Sequence, residues 1–251
     1  RSAHNLKSLN IVMKYNWNWS VLIEPQYFDW IISGTLWTIY LSIASSFIAF
    51  FLGSIIGIFR TLDNKILNFI GTTYVEIFRN IPLLVQMFIW YFVFPEIVTD
   101  DFGTWLKQDL PNPEFSSALM CLGTYTASRV AEQVRSGINS VSTGVGMAGY
   151  ATGLSTYQLY IYILLPIGYR IIIPPLTSEF LTIFKNSSLA LTIGLLELTA
   201  RSNMIMDWTF QGFEAYTAAT IIYVSVTMIV TLIMQRIENK TQIPGFISKK
   251  T

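Results

Sequence analysis

Three polar interruptions fall inside otherwise apolar stretches of this chain: Gln86, the pair Arg129 and Glu132, and Lys185-Asn186-Ser187. An ionisable group at membrane depth is costly, so it faces a partner or a polar cavity. Arginine has a planar fork that can grip a carboxylate through two parallel hydrogen bonds, so the chemistry open to Arg129 is recognition of an anion. Glu132 stands three residues on, within helical reach, and Arg129 could instead pair with it. Lys185, Asn186 and Ser187 offer donors that could line a cavity or open a gate. Alternatively, the Lys snorkels while Asn and Ser bond nearby backbone. Gln86 either faces the same pathway or bridges helices. Glu179 reads as a structural partner of Arg170 or Lys185, outside any substrate site.

Nothing in the sequence assembles a catalytic or metal centre. There is no Gly-Lys dipeptide, hence no Walker A loop to cradle nucleotide phosphates. His-Glu-x-x-His and Gly-x-Ser-x-Gly motifs are absent, and the one His is His4. Cys121, the single cysteine, lies in an apolar run and reads as a small packed residue.

The elements that must hold these groups are membrane helices. Of 251 residues, 52% are hydrophobic and 12% charged, about half the ~25% charge of a soluble domain. Mean hydropathy is +0.48. This composition predicts an all-α polytopic membrane protein with about five spans. A net charge of +1 gives no reason to expect nucleic acid as a partner.

The expected spans are Trp30 to Phe59, Thr72 to Phe94, a third from Phe115, Ile171 to Leu196, and Ala215 to Gln235. In the first, Ser45, Ala49, Gly53 and Gly57 recur every four residues as a small-residue stripe, suited to close packing within the subunit or against a second copy. In the second, Glu76 and Arg79 share a face, and Pro82 should bend the helix. Arg60, Lys65 and Arg79 lie between spans one and two, whereas the next loop has only Lys107 among five acids. Arg129, Arg135 and Arg170 bracket the following loop, and Arg236, Lys240, Lys249 and Lys250 follow span five. The positive-inside rule then puts the N-terminus outside and the C-terminus in the cytoplasm, with Lys14 the one mild exception.

The cytoplasmic segment Gly144–Pro166 is charge-free yet too rich in Gly, Ser and Thr for a span. Ala148, Gly149, Ala151 and Gly153 leave a smooth surface that another protein can approach closely. Gly153 can end a helix in the left-handed region, and Pro166 marks a further boundary. The expectation is a short helix, a turn and a second short helix, presented for docking.

The pattern Gly144…Met147-Ala148-Gly149…Gly153…Leu165-Pro166 resembles the EAA loop of ABC importer permeases. Met147 replaces the usual Glu and Gly149 the usual second Ala. The strings Tyr74–Gln86, Glu132…Arg135-Ser-Gly-Ile138 and Lys185–Leu189 are similar, in family order, to amino-acid permeases of that group, and within it to the glutamate/aspartate branch. The resemblance implies a type I ABC importer transmembrane domain over 28–236 with a cytoplasmic coupling helix. It places 1–27 outside the cytoplasm and 237–251 inside as a tail, in the bacterial inner membrane. Residues 1–12 are read as preceding a natural start at Met13.

What the resemblance implies for function is ATP-driven import of an acidic amino acid, glutamate or aspartate. Another polar amino acid is the alternative, and an ion-coupled secondary carrier, which favours internal repeats, is the more distant one. The implied partners are an ABC ATPase dimer holding ATP and Mg, a second permease subunit (sister or identical), a periplasmic amino-acid-binding protein and membrane lipids. This chain itself would hold no cofactor. Gly144, Met147, Ala148, Gly149, Gly153, Leu165 and Pro166 would form the ATPase-coupling loop. Gln86, Arg129, Glu132, Lys185, Asn186 and Ser187 would line the substrate pathway.

Overall fold

The computed structural model describes residues 15–241, and its regular structure among them is helix, with no strand. The expectations for residues 1–12, His4, Lys14, Lys249 and Lys250 lie outside the described residues. Helix α1 (Pro25–Phe59) starts on a proline, whose missing N–H is no loss at a first helical position. The amphipathic α2 (Lys65–Asn80) is capped by the Asn64 side chain, which accepts from the Ile66 and Leu67 N–H groups. Then come α3 (Leu83–Ile97), the short α4 (Asp100–Thr104) and α5 (Pro113–Asn139). The remaining helices are α6 (Thr143–Ala151), α7 (Thr156–Ile193), α8 (Leu198–Thr209) and α9 (Gly212–Thr241).

Helix α5 is the hub, packed by α1, α2, α3 and α7. The α1 stripe makes this possible. A Cβ added at Gly53 would lie 2.7 Å from the Ala127 carbonyl oxygen, and one at Gly57 2.7 Å from that of Ala131. Ser45 and Ala49 are buried too. The stripe is therefore used inside the subunit.

Among the described residues, α1, α7 and α9 are each long and apolar enough to cross a bilayer alone. Helix α5 is long enough, at 27 residues, but carries Glu114, Arg129, Glu132 and Arg135. Its packing against α1, α2, α3 and α7 leaves these four polar residues only partly exposed.

The second expected span needs correction. The break at Ile81 and Pro82 turns the chain by 104° between α2 and α3, far more than a kink. Ile81 adopts an extended conformation, as residues before proline prefer. The contacts of α2 stay at one level of the bundle: Gly71 against Arg60 and Ile56, Val75 packed with Ile56 and Ala131, and Arg79 beside Glu132. Helix α2 thus crosses the bundle obliquely, and α3 turns away to pack on α5 near Cys121.

Pro166 also behaves differently from expectation. It begins no new helix, because α7 runs without a break from Thr156 to Ile193. One wide turn at Tyr160–Leu164 precedes it, the local widening that lets a helix absorb a missing donor. The second short helix and the fourth span are consequently one rod.

Candidate functional site

The loop between α5 and α7 is built as follows. Helix α6 ends at Gly153, with φ +84°, the left-handed position where a Cβ is penalised. Ser155 and Gln158 then form a reciprocal cap that starts α7. On α6, Gly144, Met147, Ala148, Tyr150 and Ala151 are exposed, Met147 at 66%. Gly149 points the other way: its added Cβ would lie 2.6 Å from Leu159 of α7. The smooth outer face is therefore Gly144, Ala148 and Ala151, while Gly149 closes the hairpin from within. Leu165 is half-buried and Pro166 exposed on the first turns of α7.

This loop is tied to the membrane helices by Tyr160. Its hydroxyl donates to the Thr61 carbonyl (2.9 Å) and lies 3.1 Å from the Thr61 hydroxyl, in the turn between α1 and α2. A cleft opens between that turn and α6, lined by Asp63, Asn139, Gly146, Met147 and Tyr150 among others.

The polar residues within the helices fall into two separate groups. Glu132 does not pair with Arg129. It accepts from Arg135 at 2.5 Å and from Arg60, with Arg79 at 3.9 Å. These groups gather the ends of α1 and α2 onto α5. Arg129 instead meets Glu179 of α7, with Nε 2.5 Å from Oε2. Glu179 is paired with neither Arg170 nor Lys185. Spacing along one helix favours Arg129 with Glu132. The pairing across helices depends on how α5 and α7 cross, which sequence spacing does not record.

Gln86 is buried, and its amide donates to the carbonyls of Phe78 (2.8 Å) and Ile81 (2.9 Å). These carbonyls are freed by the Pro82 break, so Gln86 secures the corner between α2 and α3. Its Oε1 has no partner among the described residues. Ser187 is buried and bonds the Phe184 carbonyl, Asn186 is half-buried, and Lys185 is exposed with no ion pair among the described residues. No cluster of His, Cys, Asp or Glu able to hold a metal occurs among the described residues.

Two buried acids, Glu197 and Glu214, escaped the sequence analysis; Glu214 accepts from the Asn18 N–H (2.7 Å) and from the Tyr15 hydroxyl. Glu197, fully buried, caps α8 by accepting from the Thr199 and Ala200 N–H groups (2.9 and 2.8 Å) and from the Tyr223 hydroxyl (2.8 Å). Burial pushes its carboxyl above the ordinary carboxylate range, against the pull of these donors. A Glu directly before a helix, following Gly194 (φ +93°), was the available signal.

An apolar helical bundle with polar residues on inner helix faces and an exposed small-residue loop helix defines a membrane transport subunit. The chain belongs to the family of binding-protein-dependent transport system inner membrane components, which matches residues 49–243. It is 43% identical to the glutamate/aspartate import permease protein GltJ of Escherichia coli (strain K12), over 95% of this chain and all of that protein. It is 29% identical to the glutamine transport system permease protein GlnP of the same organism, over 83% of this chain and 90% of that one. The fold matches a solved amino acid ABC transporter with histidines at a TM-score of 0.75 and 24% identity, covering 90% of this chain and all of that one. This chain is a permease subunit of an ABC importer and not an enzyme; the ATPase is a separate chain, and a binding protein is its other partner.

Proposed function

We propose that this permease carries an acidic amino acid, glutamate or aspartate, inward across the bacterial inner membrane. The observation that carries this reading is Arg129. It lies about 24 Å along α5 at 1.5 Å per residue, and its side chain is 42% exposed although it belongs to a membrane helix. A charge so placed faces a partner or a polar cavity, and Glu179 engages it through Nε. A negative substrate group complements it, and the similarity to GltJ agrees with that substrate class.

In this reading the N-terminus is outside and the C-terminus cytoplasmic, with residues 28–236 forming the transmembrane domain. A second permease subunit completes the pathway and a binding protein delivers substrate from outside. An ATPase dimer with ATP and Mg docks on the loop that holds Gly144, Met147, Ala148, Gly149, Gly153, Leu165 and Pro166. Lys185 and Asn186 line the pathway beyond Arg129, while the buried Ser187 and Gln86, with Glu132, shape it from behind. Closure of the ATPases moves α6 and α7 as a packed unit and changes which side the pathway faces.

The test is uptake by the importer reconstituted with its ATPase and binding protein. Arg129→Gln should depress aspartate transport far more than glutamine transport. Equal loss of both, or ATP-independent uphill uptake by this chain alone, would overturn the reading.

A further inference from the structure

Glu179 has no place in the pathway by sequence, yet it is the group that touches Arg129. Its side chain is only 8% exposed, and Arg129 is its one hydrogen-bonding partner among the described residues. The bond uses Nε of the guanidinium. No other carboxylate among the described residues lies within ion-pair reach of Arg129, because Glu132 is engaged by Arg60 and Arg135. The crossing of α5 and α7 is rigid beneath the pair. A Cβ added at Gly137 would come within 2.5 Å of Ile172 and 2.9 Å of the Gly168 carbonyl oxygen.

We propose that Glu179 is a positioning and charge-attenuating residue for substrate, holding Arg129 by Nε so that its outer Nη edge meets the substrate carboxylate. The proposal rests on the acidic-substrate reading above. Without Glu179 the pathway would present a full positive charge to an anion, which would bind tightly and leave slowly. With it, the pair is neutral, and the forked donors still select a carboxylate by geometry. A transport site must bind well enough to admit its cargo and weakly enough to release it. Glu179 remains in place when substrate arrives, since freeing a buried carboxylate from its only partner is strongly unfavourable.

The experiment uses the purified permease–ATPase complex without binding protein, so that affinity reports on the pathway alone. Binding of radiolabelled aspartate is measured at equilibrium, and transport rate is measured in the complete reconstituted importer. Glu179→Gln should tighten aspartate binding several-fold while lowering the maximal transport rate, and Glu179→Asp should restore part of the rate. In an Arg129→Gln background, which strands the Glu179 carboxylate, Glu179→Gln should no longer lower the maximal transport rate, because the positioning acts through Arg129. Unchanged or weakened aspartate binding in Glu179→Gln would overturn the proposal, as would an undiminished effect in the double variant. If Arg129→Gln does not discriminate aspartate from glutamine, the underlying substrate reading fails instead.

Discussion

The Tyr160 hydroxyl of α7 donates to the Thr61 carbonyl in the turn between α1 and α2, joining segments 99 residues apart. Two parts of one end of the bundle are thereby tied together: the hairpin proposed to receive the ATPase and the corner from which α1 and α2 diverge. Thr61 also bonds back to Ile58, so the turn is itself ordered. Tyr160→Phe keeps the ring and removes the link. The expected loss of stability is about 1 kcal/mol, too little to prevent assembly. ATP hydrolysis should persist while amino acid moved per ATP falls, measured side by side in proteoliposomes.

The glycine stripe gives a packing prediction. Gly53→Val places branched carbon where a single Cβ already lies 2.7 Å from the backbone oxygen of Ala127. Overpacking a fitted interface costs about 1–3 kcal/mol or more, and backbone has little freedom to retreat. The variant should lose its monodisperse peak in detergent at a temperature well below that of the parent.

Gly149 and Gly153 should respond unequally to the same small change. Gly149→Ala meets only the far methyl of Leu159, at 2.6 Å, which can turn aside. Gly153→Ala meets nothing within 4 Å but must hold φ +84°, at a cost of roughly 1 kcal/mol. Thermal stability should therefore fall at Gly153 despite its empty surroundings.

Ala148 tests the docking face. Its side chain is exposed on α6, so Ala148→Arg leaves the fold undisturbed and covers the smooth surface with a long charged group. Membrane insertion should be normal and co-purification of the ATPase lost. Retention of the ATPase would remove this face from the interface.

Glu197 gives a pH dependence. Because burial raises its native pKa above the unfolded value, the folded chain holds the proton more tightly. The favourable contribution is complete below the unfolded pKa. It declines as pH climbs from the ordinary carboxylate range through the raised native pKa. Glu197→Gln should flatten that slope in melting temperature against pH, whereas Glu197→Ala should destabilise at every pH by stranding the Thr199 and Ala200 donors.

The membrane class, the apolar segments and the turn at Gly153 were readable because each follows from local composition or one residue's backbone preference. Pro82 announced a bend but not its 104° size, which depends on Gln86 reaching back to Phe78 and Ile81 across the corner. The partner of Arg129 was hidden for a related reason. Spacing of three favours Glu132, but Arg60 and Arg135 had already claimed that carboxylate from a direction visible only in three dimensions. Gly149 showed as a small residue, yet whether it faced outward depended on where α7 begins.

Helix α7 is 38 residues long, or about 57 Å at 1.5 Å per residue, nearly twice the roughly 30 Å thickness of the hydrocarbon layer. In the proposed arrangement it works as a crank whose handle stands in the cytosol. Rotating such a rod by about 5° displaces one end relative to the other by about 5 Å, comparable to the width of an amino-acid backbone. In that arrangement a slight nudge from a nucleotide-driven motor is geometrically sufficient to unseat cargo deep in the bilayer.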